Sequence, residues 1–369
     1  MTEQSKIRFA VVGLGHFAQS AILPAFREAK DRARLAALVT GDPIKAKELG
    51  EEYKVPVHSY EQFDELLQSG TIDAVYIAVP NSEHCKYAVK SAEAGVHVLC
   101  EKPLAYTVAD ARKIVEACRD AEVKLMTAYR LHFEEGNLDA IEAAHNGTIG
   151  EARIFRSIHT TQIDPDNIRV DQSLGGGSLE DIGIYCLNAA RYIFRAEPEE
   201  VSAFAVKGSD PRFAEIPEAV SVMMRFPGER LGTFICGFGE AHASEYCIIG
   251  TEGMLVMNPA FTWQGDIIQR TVIKGKEKTK TFKHRDQIAA EILYFAKCVQ
   301  TSQEPEPSGW EGLIDVEIID GIRESYREHR NVRLNLSIER SERPDLSQSI
   351  DRKAHGEVKT VNVAPPSNK

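Results

Sequence analysis

A lysine set between an acid and a proline, Glu101-Lys102-Pro103, follows directly on the apolar run Val96-His97-Val98-Leu99-Cys100. In a parallel sheet this is where a strand ends, and ligands gather outside the carboxyl ends of such strands. A lysine there can lose solvation and titrate usefully, or donate to an oxygen that is changing charge. Pro103 has no amide hydrogen and restricts Lys102 to extended conformations, which ends the strand and fixes where the lysine points. A second candidate group lies in Leu174-Gly175-Gly176-Gly177-Ser178-Leu179-Glu180-Asp181-Ile182-Gly183-Ile184-Tyr185. On a helix Asp181 and Tyr185 share a face, and an acid beside a phenol could grip and deprotonate an alcohol. The same residues read equally well as local structure. Ser178-x-x-Asp181 has capping-box spacing, an aspartate in the first turn suits the helix dipole, and Tyr185 is then a half-buried aromatic.

A third stretch offers phosphate chemistry. The apolar run Ile7–Val12 leads into Gly13-Leu14-Gly15-His16-Phe17-Ala18 and then a helical pattern over 17–28. This is G-x-G-x-x-[G/A] in strand–turn–helix context. The first glycine allows a tight turn, the second lets backbone approach a pyrophosphate, and Ala18 permits close helix–strand packing beside the helix N-terminus. The next strand, 34–39, ends Thr40-Gly41-Asp42-Pro43, with Lys45 and Lys47 just beyond. A hydroxyl and a lysine suit a 2′-phosphate, which favours NADP; NAD stays open, because Asp42 could bind a ribose hydroxyl. Asp42 with Pro43 also has the form of an N-cap followed by proline at the first helical position.

These groups need elements to hold them. Ser59-Tyr60-Glu61-Gln62 has capping-box spacing and predicts a helix through Leu67. A buried strand over 72–79 ends Pro80-Asn81-Ser82, where Asn81 or Ser82 can cap a helix running to Ala94. The strand 96–100, a helix capped by Thr107 over 108–120 and a strand over 124–128 complete an alternation of strand and helix. That alternation predicts an α/β fold with a doubly wound parallel sheet, a Rossmann domain over 1–128. Beyond Tyr129 the rhythm changes. After a helix near 134–145 come strands near 151–161, 200–207, 219–226, 230–237, 244–249, 253–257, 267–273 and 279–282, then helices near 286–300 and 309–329. This predicts an α+β domain over 129–336 with a mostly antiparallel open sheet, a platform for substrate binding and for a homo-oligomer, dimer or tetramer. The polar stretch 337–369 reads as a flexible tail.

With 369 residues there is room for about two domains. A net charge of −11 gives no bulk attraction to nucleic acid or to an anionic membrane, so cofactor phosphates must be met locally. The seven cysteines are scattered, with no C-x-x-C pair, which argues against a disulfide framework or a zinc site and suits a reducing compartment. No metal is expected. With neither an export signal at the start of the sequence nor an apolar run of the ~18 residues a membrane span needs, a cytoplasmic location is expected.

Taken together these motifs resemble the glucose–fructose oxidoreductase / inositol dehydrogenase (Gfo/Idh/MocA) family over about 7–334. The resemblance rests on the glycine loop, on Ala78-Val79-Pro80-Asn81 followed by His84, on Ala94-Gly95-Val96-His97-Val98 leading to Glu101-Lys102-Pro103, and on Gly-Gly-Gly-Ser with Asp181 and Tyr185. The glucose–fructose oxidoreductase branch is the most similar. The resemblance implies that Thr40, Gly41 and Lys45 grip an NADP 2′-phosphate and that Tyr60 lies by the adenosine. Gly13 to Ala18, Val79, Pro80, Asn81, His84, Glu101, Arg130 and Arg169 are then cofactor- or substrate-side residues. It further implies that Lys102 lies between nicotinamide and substrate, that Tyr185 exchanges the proton and that Asp181 orients the sugar hydroxyl. Inositol dehydrogenases carry histidine where this chain has Tyr185, so the sugar branch fits better. The chain departs from that branch at Ile168, where a tryptophan precedes the matched arginine, in lacking a cofactor-clasping N-terminal arm, and in its polar tail.

The implied reaction is reversible hydride transfer between a nicotinamide and a cyclic sugar or polyol. Two alternatives share the fold: a glycoside-cleaving enzyme that oxidises transiently and returns the hydride, and a nucleotide-sensing protein without chemistry, which would need none of Lys102, Asp181 and Tyr185.

Overall fold

The computed structural model of the chain describes residues 6–337 and 344–366. Their contacts divide into two units, the first made of 6–133, 285–313 and 350–366, the second of 134–284, 314–337 and 344–349.

The first unit is built on six strands: β1 (Ile7–Val12), β2 (Ala33–Val39), β3 (Val57–His58), β4 (Ala74–Ile77), β5 (His97–Glu101) and β6 (Leu125–Ala128). They lie in the order β3-β2-β1-β4-β5-β6 with every pair parallel. The chain reverses direction across the sheet between β1 and β4, the switch point where ligands bind in doubly wound folds. Helices cover both faces of such sheets, so the strands are apolar along their length; Phe9, Val11, Val75, Leu99 and Met126 are wholly buried. β3 was not foreseen, since two residues at a sheet edge carry no periodicity to read.

The helices of this unit are α1 (Leu23–Ala25), α2 (Pro43–Tyr53), α3 (Phe63–Gln68), α4 (His84–Glu93) and α5 (Val108–Asp120). The helix expected over 17–28 is shorter and irregular. A π-helical stretch, Ala18–Ile22, precedes α1, and Pro24 supplies no amide to continue the ladder. The box expected at Ser59 is half made: Gln62 Oε1 accepts the Ser59 amide at 3.0 Å, but α3 starts only at Phe63. Likewise Asn81–Glu83 forms a 3₁₀ turn, and α4 begins at His84 without a side-chain cap. Thr107 does cap α5, its hydroxyl accepting from the Asp110 amide at 3.1 Å.

Two segments expected elsewhere belong to this unit. Helix α8 (Gln287–Thr301) lies against the first sheet, with the Phe295 ring 6.1 Å from that of Phe9. Its apolar stripe was visible in the sequence, but a stripe does not say which sheet it covers. The second is 350–366, expected as part of a flexible polar tail. The Arg352 carbonyl accepts from the Asp286 amide at 2.9 Å, and Arg352 pairs with Asp31 at 2.5 Å. Val361 exchanges two hydrogen bonds with the Gln19 side chain, at 2.6 and 3.0 Å. The contacts are made by backbone and by a few long side chains, which composition does not reveal.

The second unit holds α6 (Glu135–His145), α7 (Ile184–Phe194) and a nine-stranded sheet. Its strands are β7 (Ala152–Gln162), β8 (Glu200–Val206), β9 (Ala219–Phe226), β10 (Arg230–Gly237), β11 (Gly239–Gly250), β12 (Gly253–Met257), β13 (Ile267–Ile273), β14 (Lys276–Phe282) and β15 (Val332–Arg333). The order is β14-β13-β12-β11-β7-β10-β9-β8-β15, antiparallel except for β7 beside β10. β14 is longer than expected because its residues Lys-Glu-Lys-Thr-Lys-Thr are exposed at the sheet edge and show no alternation. Helix α9 (Gly309–Glu328) begins in the first unit and continues in the second, where it is tied to α7. Arg191 Nη1 meets Asp315 Oδ1 at 2.5 Å, Asn188 donates to Asp315 Oδ2 at 2.9 Å, and Glu197 takes the other edge of the guanidinium.

Candidate functional site

In the first unit the glycine turn joins β1 to its helix. Gly13 has φ +93°, and a Cβ there would stand 2.6 Å from the Ala78 carbonyl oxygen, so this turn closes only around glycine. A Cβ on Gly15 would meet nothing within 4 Å. The glycine leaves open space beside the backbone, as close approach of a pyrophosphate requires. The helix begins at His16 and Phe17, whose first-turn amides suit an anion, and Ala18 is buried against the sheet. Gln19 Nε2 donates to the Leu14 carbonyl at 2.9 Å and holds the turn from below. These residues fit a dinucleotide.

At the end of β2, Thr40 Oγ1 accepts the Asp42 amide at 3.2 Å, and the Tyr60 ring lies against Gly41, where a Cβ would be 3.3 Å away. Burial pushes the Tyr60 phenol up to about 12, so it stays neutral and offers a flat, uncharged surface. Asp42 is the N-cap of α2, its Oδ1 accepting from the Ile44 and Lys45 amides at 2.9 and 3.2 Å. Its Oδ2 accepts from Asn362 at 2.6 Å and lies 3.8 Å from Lys45 Nζ. Desolvation pushes its pKa up, but the Lys45 amide, Asn362, the Ile44 amide and the Lys45 charge outweigh it and hold the pKa below the ordinary value. With both oxygens engaged, Asp42 serves as a cap, and Thr40 and Lys45 are the groups at this strand end suited to a phosphate.

Val79 and Pro80 lie in the turn beyond the end of β4, and Asn81 opens the 3₁₀ turn. His84, placed on the cofactor side by the resemblance, has its ring between two turns at the strand ends. It is wholly buried, with Nδ1 3.0 Å from the Pro103 carbonyl and Nε2 3.0 Å from the Val79 carbonyl. Burial holds its pKa down, against the pull of the carbonyls, so a neutral ring donates to one of them and packs against the other. His84 thus clamps the Val79 turn to the Lys102-Pro103 turn.

β5 ends at Glu101, and Lys102 and Pro103 form the turn beyond it. Glu101 Oε2 accepts the Lys102 amide at 3.3 Å, and Glu101 Oε1 lies 2.9 Å from the Tyr76 hydroxyl. That hydroxyl is also 2.9 Å from Glu291 Oε1 on α8. Arg130 is buried and donates through Nη1 to Gln287 at 2.8 Å. The resemblance places it on the cofactor or substrate side; in the structure its charge also lowers the cost of ionising Glu101 and Glu291. Tyr76, Gln287 and Glu291 were missed by sequence reasoning; a tyrosine in a buried strand was the one available signal.

In the second unit the glycine-rich loop leads into a π-helical turn, Leu179–Gly183, and then α7. Ser178 has helical dihedrals and makes no side-chain cap, so the capping-box alternative fails. Asp181 Oδ2 instead accepts from Arg169 Nε at 2.7 Å. Gly177 has φ +147°, and a Cβ there would lie 1.9 Å from Glu180 Oε2, whose carboxyl is bound by buried Arg323 at 2.7 Å. The turn that carries Asp181 is therefore anchored from inside. Tyr185 is half-buried near the start of α7, its ring 5.8 Å from His159 and stacked 6.1 Å from Phe261. Both neighbours come from elements far away in sequence, and neither was foreseen.

Among the described residues no group of three or more His, Cys, Asp or Glu is placed to hold a metal ion. All seven cysteines are buried and free, and among the described residues no helix is long and apolar enough to cross a membrane.

The fold and these sites define an NAD(P)-dependent oxidoreductase. The family model for oxidoreductases with an NAD-binding Rossmann fold matches residues 7–129, and that for the GFO/IDH/MocA C-terminal domain matches 138–256. The chain belongs to the Gfo/Idh/MocA oxidoreductase family. It is 33% identical to the D-xylose 1-dehydrogenase [NADP(+)] of Haloarcula marismortui over 338 residues, 89% of this chain and 93% of that one. The aldose–aldose oxidoreductase of Caulobacter crescentus, solved with glycerol, superposes with a TM-score of 0.86 at 37% identity, over 89% of this chain and 100% of that one. A 3-ketoreductase from Actinomadura kijaniata, solved with NADP and TDP-benzene, gives a TM-score of 0.79 at 25% identity, over 87% and 98%.

Proposed function

We propose that this oxidoreductase moves hydride reversibly between NADP(H) and the anomeric carbon of an aldose in its ring form. The observation that carries the reading is the pair Asp181 and Tyr185: an acid hydrogen-bonded by Arg169 and a phenol four residues further on, neither used to cap its helix. Relatives named for D-xylose and for aldoses support the sugar class, and an NADP(+)-dependent relative supports NADP over NAD.

The roles follow from each group's chemistry. The nicotinamide, when bound, takes or returns the hydride. The glycine turn and first-turn amides hold the pyrophosphate, and Thr40 and Lys45 hold the 2′-phosphate. Tyr60 packs by the adenosine, and Val79, Pro80 and Asn81 border the nicotinamide side. Asp181 accepts a hydrogen bond from a sugar hydroxyl, fixing which carbon is presented. Tyr185 takes the hydroxyl proton as the carbonyl forms and gives it back in reduction, while the Lys102 ammonium donates to the oxygen as its charge changes.

The second sheet supports a homo-oligomer. Ile154, Phe204, Met223, Leu231, Ile235 and Ile268 are exposed, and the strand registers put them on one face across five strands. A face of that kind marks an association surface, which we assign to a second copy of the chain. A cytoplasmic location is proposed on the seven unpaired buried cysteines.

Turnover of an aldose with NADP⁺ by Tyr185→Phe and Lys102→Met, each with its fold verified, tests the roles. Loss of a general acid–base group costs about 10²–10⁴-fold, and that is the drop expected for Tyr185→Phe. Near-full turnover in both variants would remove the assignment.

A further inference from the structure

We propose that Glu291, Tyr76 and Glu101 share one buried proton beyond the phenol's own, and that Tyr76 and Glu291 are positioning residues for Lys102. The inference rests on the role of Lys102 proposed above. The Tyr76 oxygen lies 2.9 Å from Glu101 Oε1 and 2.9 Å from Glu291 Oε1. A phenol has one hydrogen to donate. With both carboxyls ionised, one of these contacts would bring together two oxygens with no proton between them, beside Tyr76 and Glu291, which are both wholly buried. One carboxyl therefore carries a proton and donates it to the phenol oxygen.

The surroundings say which. Glu291 is wholly buried, and its Oε2 has no hydrogen-bond partner. Asp286 and Glu101 face it with like charge, and Arg130 is the cation beside it. Burial raises the pKa of Glu101 too, but less than that of Glu291, because Glu101 accepts the Lys102 amide and has both the Lys102 and Arg130 charges to offset it. The direction is thus set: the Glu291 acid donates to Tyr76, Tyr76 donates to Glu101, and the negative charge rests on Glu101, next in the chain to Lys102. Hydrogen bonds in such a chain polarise one another, so removing the far member weakens the near one. Burial raises the pKa of Glu291 well above that of a free carboxyl, in keeping with this order. The charge beside Lys102 is therefore held in place from a helix that joins the sheet from far along the chain.

Infrared spectroscopy of the folded protein at neutral pH tests the shared proton. The wild type should show the carbonyl stretch of a protonated carboxylic acid, lost in Glu291→Gln and retained in Tyr185→Phe. Absence of the band, or its survival in Glu291→Gln, overturns the proposal. For the positioning role, Tyr76→Phe should lower kcat and displace the pH profile of kcat, with KM for the cofactor unchanged. Glu291→Gln, which keeps a donor toward the phenol, should retain more turnover than Glu291→Leu. A Tyr76→Phe pH profile matching that of the wild type contradicts that role. If Lys102→Met turns over normally while the acid band still disappears in Glu291→Gln, the assignment of Lys102 has failed and the shared proton has not.

Discussion

Glu291 couples the stability of the first unit to pH. Its pKa is raised by folding, so the native state keeps a proton that the unfolded chain releases above about pH 4.3. Stability from this group is whole below that pH and declines as pH rises toward the folded pKa. Glu291→Gln removes the titration, so its melting temperature should gain on that of the wild type between pH 5 and 8, by more at the higher pH. A constant or shrinking difference in calorimetry contradicts this. At the strand end of β2, Lys45→Ala should raise KM for NADP⁺ about 10- to 100-fold, a charge-assisted hydrogen bond being worth about 1.5–3 kcal/mol. KM for NAD⁺ should scarcely change, and an equal rise for both contradicts the assignment. Lys102, Asp181 and Tyr185 can be proposed from the sequence because each stands in a local motif with its own spacing. What His84 and Arg130 bond to could not be read, because their partners, Pro103 and Gln287, are brought to them by folding.

At the scale of elements, each unit carries a π-helical stretch in the element proposed to serve its chemistry, Ala18–Ile22 after the glycine turn and Leu179–Gly183 around Asp181. Such bulges recur at functional sites, because the extra residue re-aims a side chain that a regular helix would aim elsewhere. Periodicity at 3.6 residues cannot reveal them, and this is why both helices were drawn as regular. The second turn depends on Glu180 and Arg323, and α7 depends on Arg191 and Asp315. Arg191 and Asp315 are almost wholly buried, and removing one member of a buried pair costs about 3–5 kcal/mol. Asp315→Ala should lose stability of that order in denaturant unfolding; a loss below about 1 kcal/mol would show that Arg191 finds a substitute. The segment 350–366 makes a different prediction. Its hydrogen bonds to Gln19, Asp42 and Asp286 fasten three separate elements. A chain ended at Ser349 should therefore melt at lower temperature, and an unchanged melting temperature would return the segment to the status of a free tail.

For the whole molecule, the two sheets were legible from opposite signals: alternation of strand and helix for the parallel one, runs of strands joined by turns for the antiparallel one. The division between them was not. Helix α8 and 350–366 are far along the chain yet belong to the first unit, and nothing local to either segment says so. The open face of the nine-stranded sheet leads to a prediction about assembly. Phe204→Glu with Met223→Glu should turn an oligomer into a monomer in light scattering while leaving the fold intact; a wild-type monomer refutes the surface. The central claim concerns hydride, and isotope transfer reads it directly. The purified protein is mixed with NADP⁺ and aldoses deuterated at the anomeric carbon, and the nucleotide is then weighed by mass spectrometry. Reduced nucleotide carrying one deuterium is the predicted result. Nucleotide left oxidised by every aldose, or reduced without the label, would contradict the account.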